Sequence, residues 1–413
     1  MTALASGKES KRTAAAGRIP ELDGFRVLLV FIIAWFHIWQ QSWLTPSVGG
    51  YSLDFLVRTG YMEVDGTILL SGFLLFLPWV YAAREGRSLP SARAFYRRRI
   101  ARIVPSFVFI TLVMLFAVAL PQGLYWRKEF ILPDLLAHFT FTFNWFYETY
   151  IGSPLGGFSW TIAVEMQMYL LFPWIARLAV KKPAAVLAGL AAVSAYARGW
   201  FLWRFTEYNM VVNQLVCFFD VYALGMAAAL AFPELKERCG RSERKWLWQL
   251  AATALFALGI WLSVILLKEQ ARAASYPDIQ GGQMLRRPAW AAILCMVMLS
   301  LPFAVWPLRL LFGNPVMRFL AGISMNFYLI HQQLAVQLKY WKIPADISGL
   351  ANPAEAGLDW QLRYTCLAFG LSLAAAAAVT WLVEKPCAFG LRKAFAAIDR
   401  RREARKAKKA AEA

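Results

Sequence analysis

The apolar residues of this 413-residue chain fall in runs of about twenty, and that length decides what the chain can fold into. A helix of that length just crosses the hydrocarbon core of a bilayer. Within lipid, only helices and closed barrels pair every backbone N–H and C=O internally. Eleven such segments stand out, near residues 24–44, 60–82, 100–120, 134–147, 159–179, 183–203, 209–232, 246–267, 289–306, 316–340 and 361–383. With 18 tryptophans and 15 tyrosines to form interfacial belts, the chain reads as an all-α polytopic membrane protein. Its net charge of +19 sits in loops and tails between the apolar runs, which marks topology rather than a nucleic-acid surface. Residues 1–20 lack the apolar stretch of a cleavable signal and read as a disordered basic tail. Residues 21–390 form the membrane domain, and 391–413 a second basic tail.

Both tails are basic, so both are expected in the cytoplasm, which requires an even number of crossings. The fourth segment, "LLAHFTFTFNWFY", is the shortest; letting it dip and return puts "ARLAVKK", "PELKERCGRSERK" and the C-terminus inside together. The expectation is therefore about ten transmembrane helices plus one re-entrant or interfacial segment. One stretch resists: "KEQARAASYPDIQGGQMLRRP" is placed outside despite Lys268, Arg272, Arg286 and Arg287. The five cysteines fall in spans or inner loops, so no disulfide framework is implied.

Polar residues within the spans narrow the chemistry, because each is costly in hydrocarbon. Arg26 and His37 lie eleven positions apart on one helix face, about 16 Å along the axis. Arg99 and Arg102, three apart in "RRRIARIVP", project together; with Arg26 they would build an anion site, since guanidinium forks bind phosphate bidentately. Glu165 in "FSWTIAVEMQMYLLFP", counted two turns in from Phe158, is expected near the depth of His37 and to pair with it. Ser324, Tyr328 and His331 share a face, as do Asn213, Cys217 and Asp220, whose carboxylate suits an arginine or a water. His138 shows no partner and reads as structural. Three dispersed histidines without a Cys/His cluster argue against a metal site, and no Walker-type phosphate loop is present. The small residues of "SGF" at Ser71–Phe73 suit close helix packing.

Taken in order, "ELDGFRVLLVFIIAWFH", "LLSGFLLF", "FYRRRIARIVP", "FSWTIAVEMQMYLLFP", "ISMNFYLIH" and "VEKP" resemble the signatures of membrane-bound acyltransferase family 3, from about residue 19 to 390. This chain departs from the family pattern at "MEVDGTILLSGF", where Glu63 replaces a glycine and Gly66–Thr67 replace bulky residues, while Asp65 still matches. The resemblance implies an integral-membrane O-acyltransferase of the bacterial cytoplasmic membrane. It would move an acyl group, commonly acetyl, from cytoplasmic acyl-CoA to a hydroxyl of a glycan, lipid-linked sugar, glycolipid or secreted metabolite. Acyl-CoA would be a co-substrate, with no permanently bound cofactor. Some members carry an extracellular SGNH-hydrolase-like domain; with none in this sequence, an acyl relay to such a domain would need a separate protein.

On that reading His37 is the central catalytic residue with Glu165 beside it, either as general base or as a transiently acylated nucleophile. Arg26, Arg99 and Arg102 bind the donor's phosphates, and Asp65, Ser71, Ser324, Tyr328 and His331 orient the site or the acceptor. The competing expectation is a transporter using the His37–Glu165 pair as a proton relay.

Overall fold

Leu-, Ala-, Phe- and Val-rich runs with few charges have one stable form in lipid, and they take it. The computed structural model describes residues 18–345 and 356–411, so all but the last three residues of the N-terminal tail lie outside the described part. Among the described residues, ten helices of 21 to 26 residues make up the body: α1 (Glu21–Ser42), α2 (Val64–Arg84), α3 (Ala92–Val113), α5 (Trp160–Lys181), α6 (Pro183–Arg204), α7 (Phe219–Arg241), α8 (Lys245–Gln270), α9 (Tyr276–Ser300), α10 (Pro315–Tyr340) and α11 (Gly357–Val379). Between α3 and α5 lies the nine-residue α4 (Ile131–Phe139), too short to cross a bilayer. It turns Asp134, Ala137 and His138 inward and leaves Leu132 and Leu136 exposed. Among the described residues, eight helical segments are long and apolar enough to span a membrane; α5 and α10 are the two long helices of the body outside that set. The only strands among the described residues are a two-residue hairpin, Ser47–Val48 with Tyr51–Ser52, closed by Gly49 and Gly50 at positive φ.

The resistant basic loop has a structural answer. Helix α8 runs on to Gln270 and α9 begins at Tyr276, capped by a Ser275–Asp278 capping box, so only a short turn separates them. Arg286 and Arg287 therefore belong to a helix, not a loop. Arg286 donates to Gln270 Oε1 at 2.9 Å, and Arg287 is fully buried against Asp65. Paired charges of this kind say nothing about which side of a membrane a loop occupies.

The segment read as a basic C-terminal tail also takes helical form, as α12 (Lys385–Ala411), following a π-turn over Thr380–Glu384. Its Asp399 pairs with Arg93 at 2.7 Å and with Arg97, while the Arg97 guanidinium lies over Phe395. These contacts hold α12 along the first turns of α3.

Helix α2 is the axis of the packing. Its Gly72 meets α7 so closely that a Cβ there would sit 2.7 Å from the Tyr222 carbonyl oxygen; at Gly225 of α7 the corresponding distance is 2.2 Å, to Leu69 O. Backbone-to-backbone approach of this kind is available only to glycine, and in lipid it is a main source of helix association. Gly225→Ala should lower the melting temperature of the detergent-solubilised protein by a destabilisation of about 1–3 kcal/mol. Gly189→Ala, where nothing lies within 4 Å of the added methyl, should leave it unchanged or raise it.

Candidate active site

Five helices contribute to one cavity of about 170 Å³. Helix α1 supplies Arg26, α2 supplies Thr67 and Ser71, α3 supplies Arg99 and Arg102, α5 supplies Thr161, Glu165 and Tyr169, and α10 supplies Ser324 and Tyr328. Seven of the ten residues given a site role from the sequence thus face a single space: Arg26, Ser71, Arg99, Arg102, Glu165, Ser324 and Tyr328. The positions follow from helical spacing: Arg99 and Arg102 share a face of α3, while Thr161, Glu165 and Tyr169 repeat every four residues along α5.

Glu165 does not pair with His37. It accepts from the Tyr169 hydroxyl at 2.7 Å, one turn along its own helix, and lies in the field of Arg99, Arg102 and Arg26. The depth expected from the sequence was wrong because α5 does not begin at a membrane surface. Thr161, its second residue, lines the cavity together with Tyr328 from the middle of α10. Two turns beyond so deep a start, Glu165 reaches the arginine end, where a carboxylate is better matched than beside a neutral imidazole. Arg99 also lies over the Tyr169 ring at 5.2 Å, and Tyr169 OH is 3.5 Å from Ser71 Oγ. With His37 and Glu165 apart, the pair on which a proton-relay transporter would rest is not formed.

His37 instead neighbours His331, their ring centroids 5.4 Å apart. The sequence gives no sign of this contact, because it joins residues 294 positions apart across two helices. His331 Nδ1 lies 3.0 Å from the Phe327 carbonyl oxygen. A carbonyl can only accept, so the neutral ring carries its proton on Nδ1 and presents a lone pair at Nε2, which is buried with no partner among the described residues. His37 Nδ1 faces Gln40 Oε1 at 3.0 Å, which with the amide oxygen accepting leaves its Nε2 open in the same way. Tyr328 joins the two regions: it lines the cavity, and its ring is 5.7 Å from that of His331.

Three further residues are placed by buried partners. Asp65 is not at the cavity. It is fully buried and ion-paired with Arg287 Nε at 3.2 Å, and the Arg287 guanidinium lies 4.0 Å over Phe218. Beside it, Arg198 makes a two-pronged pair with Asp220 at 2.6 and 2.8 Å and also donates to the Cys217 carbonyl. Asp220 thus anchors an arginine, one of the alternatives its position allowed. His138 has a local partner after all, Asp134 one turn back, and stacks on Phe143 with centroids 4.2 Å apart. A residue not singled out from the sequence, Glu384 of "VEKP", acts electrostatically on Arg102 and accepts from Asn326 Nδ2 at 2.7 Å.

The family model described as "Acyltransferase domain" matches residues 19–381. "Acyltransferase MdmB" of Streptomyces mycarofaciens is 32% identical over 185 residues, 42% of this chain and 44% of that protein. "O-acetyltransferase OatA" of Staphylococcus aureus (strain NCTC 8325 / PS 47) is 27% identical over 196 residues, 44% of this chain and 29% of that protein. "Peptidoglycan O-acetyltransferase OatA" of Listeria monocytogenes is 27% identical over 176 residues, 40% of this chain and 25% of that protein. The chain thus spans less than half the length of each of these relatives. No solved structure matches it.

Burial of Asp65 and Arg287 together makes their roles separable. Asp65→Asn should cost about 3–5 kcal/mol in thermal unfolding, because it strands a buried guanidinium. Asp65→Leu combined with Arg287→Met should recover most of that loss. A folded double variant that retains function would assign the pair to structure rather than to acceptor binding.

Proposed function

The chain belongs to the acyltransferase-domain family, and from that premise we propose that it is a membrane-embedded O-acyltransferase using acyl-CoA as donor, with His37 as the catalytic base. The observation that carries this reading is the excess of positive charge in the cavity: three guanidiniums against the single carboxylate of Glu165, with an imidazole pair further along two of the same helices. An anionic donor offsets that excess. Arg26, Arg99 and Arg102 take its phosphates, and the acyl-thioester end extends past Ser324 and Tyr328 toward His37. From Arg26 to His37 is about 16 Å along α1, the order of length a pantetheine arm spans.

In the reaction, His37 Nε2 takes the proton of the acceptor hydroxyl as its oxygen attacks the thioester carbonyl. The C–S bond then breaks, and the proton passes from the imidazolium to the leaving thiolate. Gln40, by accepting from Nδ1–H, fixes the tautomer that exposes Nε2. His331, fixed in the same tautomer, offers a second acceptor for the hydroxyl proton and orients the acceptor oxygen. Glu165 and Tyr169 hold Arg99 in place rather than moving protons. The acceptor is a hydroxyl of a glycan, as the printed name of the Listeria relative indicates for that protein, or of a secreted small molecule. The protein resides in a bacterial cytoplasmic membrane, with ten crossings and both termini in the cytoplasm.

Transfer of radiolabelled acetyl groups from acetyl-CoA to cell-envelope glycan tests this in membranes from cells with and without the protein. His37→Ala should lower transfer by about 10²–10⁴. Arg99→Ala should weaken acetyl-CoA binding about 10- to 100-fold, the loss of one charge-assisted contact, with a smaller effect on turnover at saturating donor. Normal donor affinity in a folded Arg99→Ala protein would remove the arginines from the donor site, and transfer unaffected by His37→Ala would remove the mechanism.

A further inference from the structure

A second cavity, of about 260 Å³, opens far from the arginines. It lies beyond the end of α3, in the stretch that contains α4, and Gln122 there donates to Gln337 at the far end of α10 at 2.7 Å. The opposite end of α3 is the one held by α12. The two cavities therefore lie toward opposite ends of the bundle, with the His37–His331 pair on the side of the second.

The lining is unusual for an interfacial surface. Four aromatic rings, Tyr125, Trp126, Phe130 and Tyr147, border the space, together with Glu148 at the rim and Asp134. Trp126 is 80% exposed although it stacks on Phe130 and carries the Arg127 guanidinium, Tyr147 is 60% exposed, and Asp134 is 2% exposed. Asp134 Oδ2 accepts from the hydroxyls of Tyr125 at 2.7 Å and Ser153 at 2.6 Å, and His138 Nδ1 lies 3.1 Å from Oδ1. Burial, and the carboxylate beside it, hold the Tyr125 hydroxyl above the usual phenol range, so it stays protonated and keeps the carboxylate in position. The segment is held to the core: Gln167 of α5 donates to Phe141 O at 2.8 Å and Asn144 Oδ1 at 2.9 Å, and Asn213 donates to Tyr150 OH at 2.7 Å. Tryptophans and tyrosines that merely mark a membrane interface have no need of a walled cavity with a buried carboxylate.

Aromatic faces beside carboxylates suit two kinds of ligand: a cation, held by the rings, or a sugar, whose apolar ring face stacks and whose hydroxyls donate to the acids. The charges here favour the sugar. Asp134 Oδ2 is already matched by two hydroxyls, while its buried Oδ1 has no hydrogen-bond partner among the described residues and suits a hydroxyl donor; the Arg127 guanidinium sits over Trp126 at 4.9 Å and Phe130 at 6.0 Å, placing positive charge where a cation would enter. We propose that the cavity between Trp126, Tyr147 and Asp134 binds a pyranose unit of a glycan and docks the acceptor at the end of the bundle opposite the donor arginines. Its role as an acceptor dock rests on the acyl-transfer reading; the sugar binding itself does not.

The test is binding without turnover, on the full chain in lipid nanodiscs. N-acetylglucosamine tetramer, maltotetraose and mannotetraose are titrated while tryptophan fluorescence is followed, with choline as the cationic probe. At least one oligosaccharide should shift the fluorescence saturably. Trp126→Ala and Tyr147→Ala, both at exposed positions that leave folding intact, should each weaken that binding about tenfold or more while acetyl-CoA affinity stays unchanged. Saturation by choline alone, no response to any oligosaccharide, or sugar binding that survives both substitutions would overturn the proposal. Sugar binding without any acyl transfer would leave this site standing and count against the proposed reaction alone.

Discussion

A charge inside a helix bundle must be matched nearby, and this protein meets that requirement in two different ways. Around α2, α6, α7 and α9 the charges pair with one another: Asp65 with Arg287 and Asp220 with Arg198, packed with carbonyl oxygens and the Phe218 ring, with Arg287 Nη2 left without a hydrogen-bond partner among the described residues. Its charges are spent on one another, and its effect is to fix the register of the helices that share it. Between α1, α3, α5 and α10 the matching is incomplete, with three arginines and one carboxylate lining the cavity. An unmatched charge facing a cavity is costly until an anion arrives, which is what separates a binding site from a structural ion pair.

That division also explains why the arginine-rich start of α3 does not act as one patch. Arg93 and Arg97 face outward and hold α12 through Asp399, whereas Arg99 and Arg102 turn toward the cavity. Four of the five arginines in residues 93–102 are split by helical phase between assembly and binding. Glu384, at the junction of α11 and α12, acts on Arg102 and so ties the position of the C-terminal helix to the cavity.

Much of this was legible in the sequence where one helix carries the information. The common face of Arg99 and Arg102, the long apolar helices and the failure of the fourth segment to span all follow from periodicity and length. The readings that failed depended on where a helix begins or on what lies across from it. The depth of Glu165 was counted from a surface that the chain has already left before α5 starts. Arg287 resembled a loop charge because nothing local reveals Asp65, 222 positions away. His331 beside His37 is likewise a meeting of two distant helices. His138 is the exception, since Asp134 stands one turn before it and the i, i+4 spacing was there to be read.

Tyr328 has a consequence for the membrane as a whole. One side of it faces the arginine cavity and the other packs toward His331, with Phe327 stacked on Phe31 at 5.1 Å alongside. A protein that passes an acyl group between the two faces of an energised bilayer would dissipate the ion gradient if its approaches formed one open water-filled channel. On the proposed reaction, the Tyr328 ring beside Thr161 would stand between the two approaches, a partition thin enough for an acyl chain to lie against while interrupting a file of water. On that reading the cell could carry many copies of the protein without losing its proton-motive force.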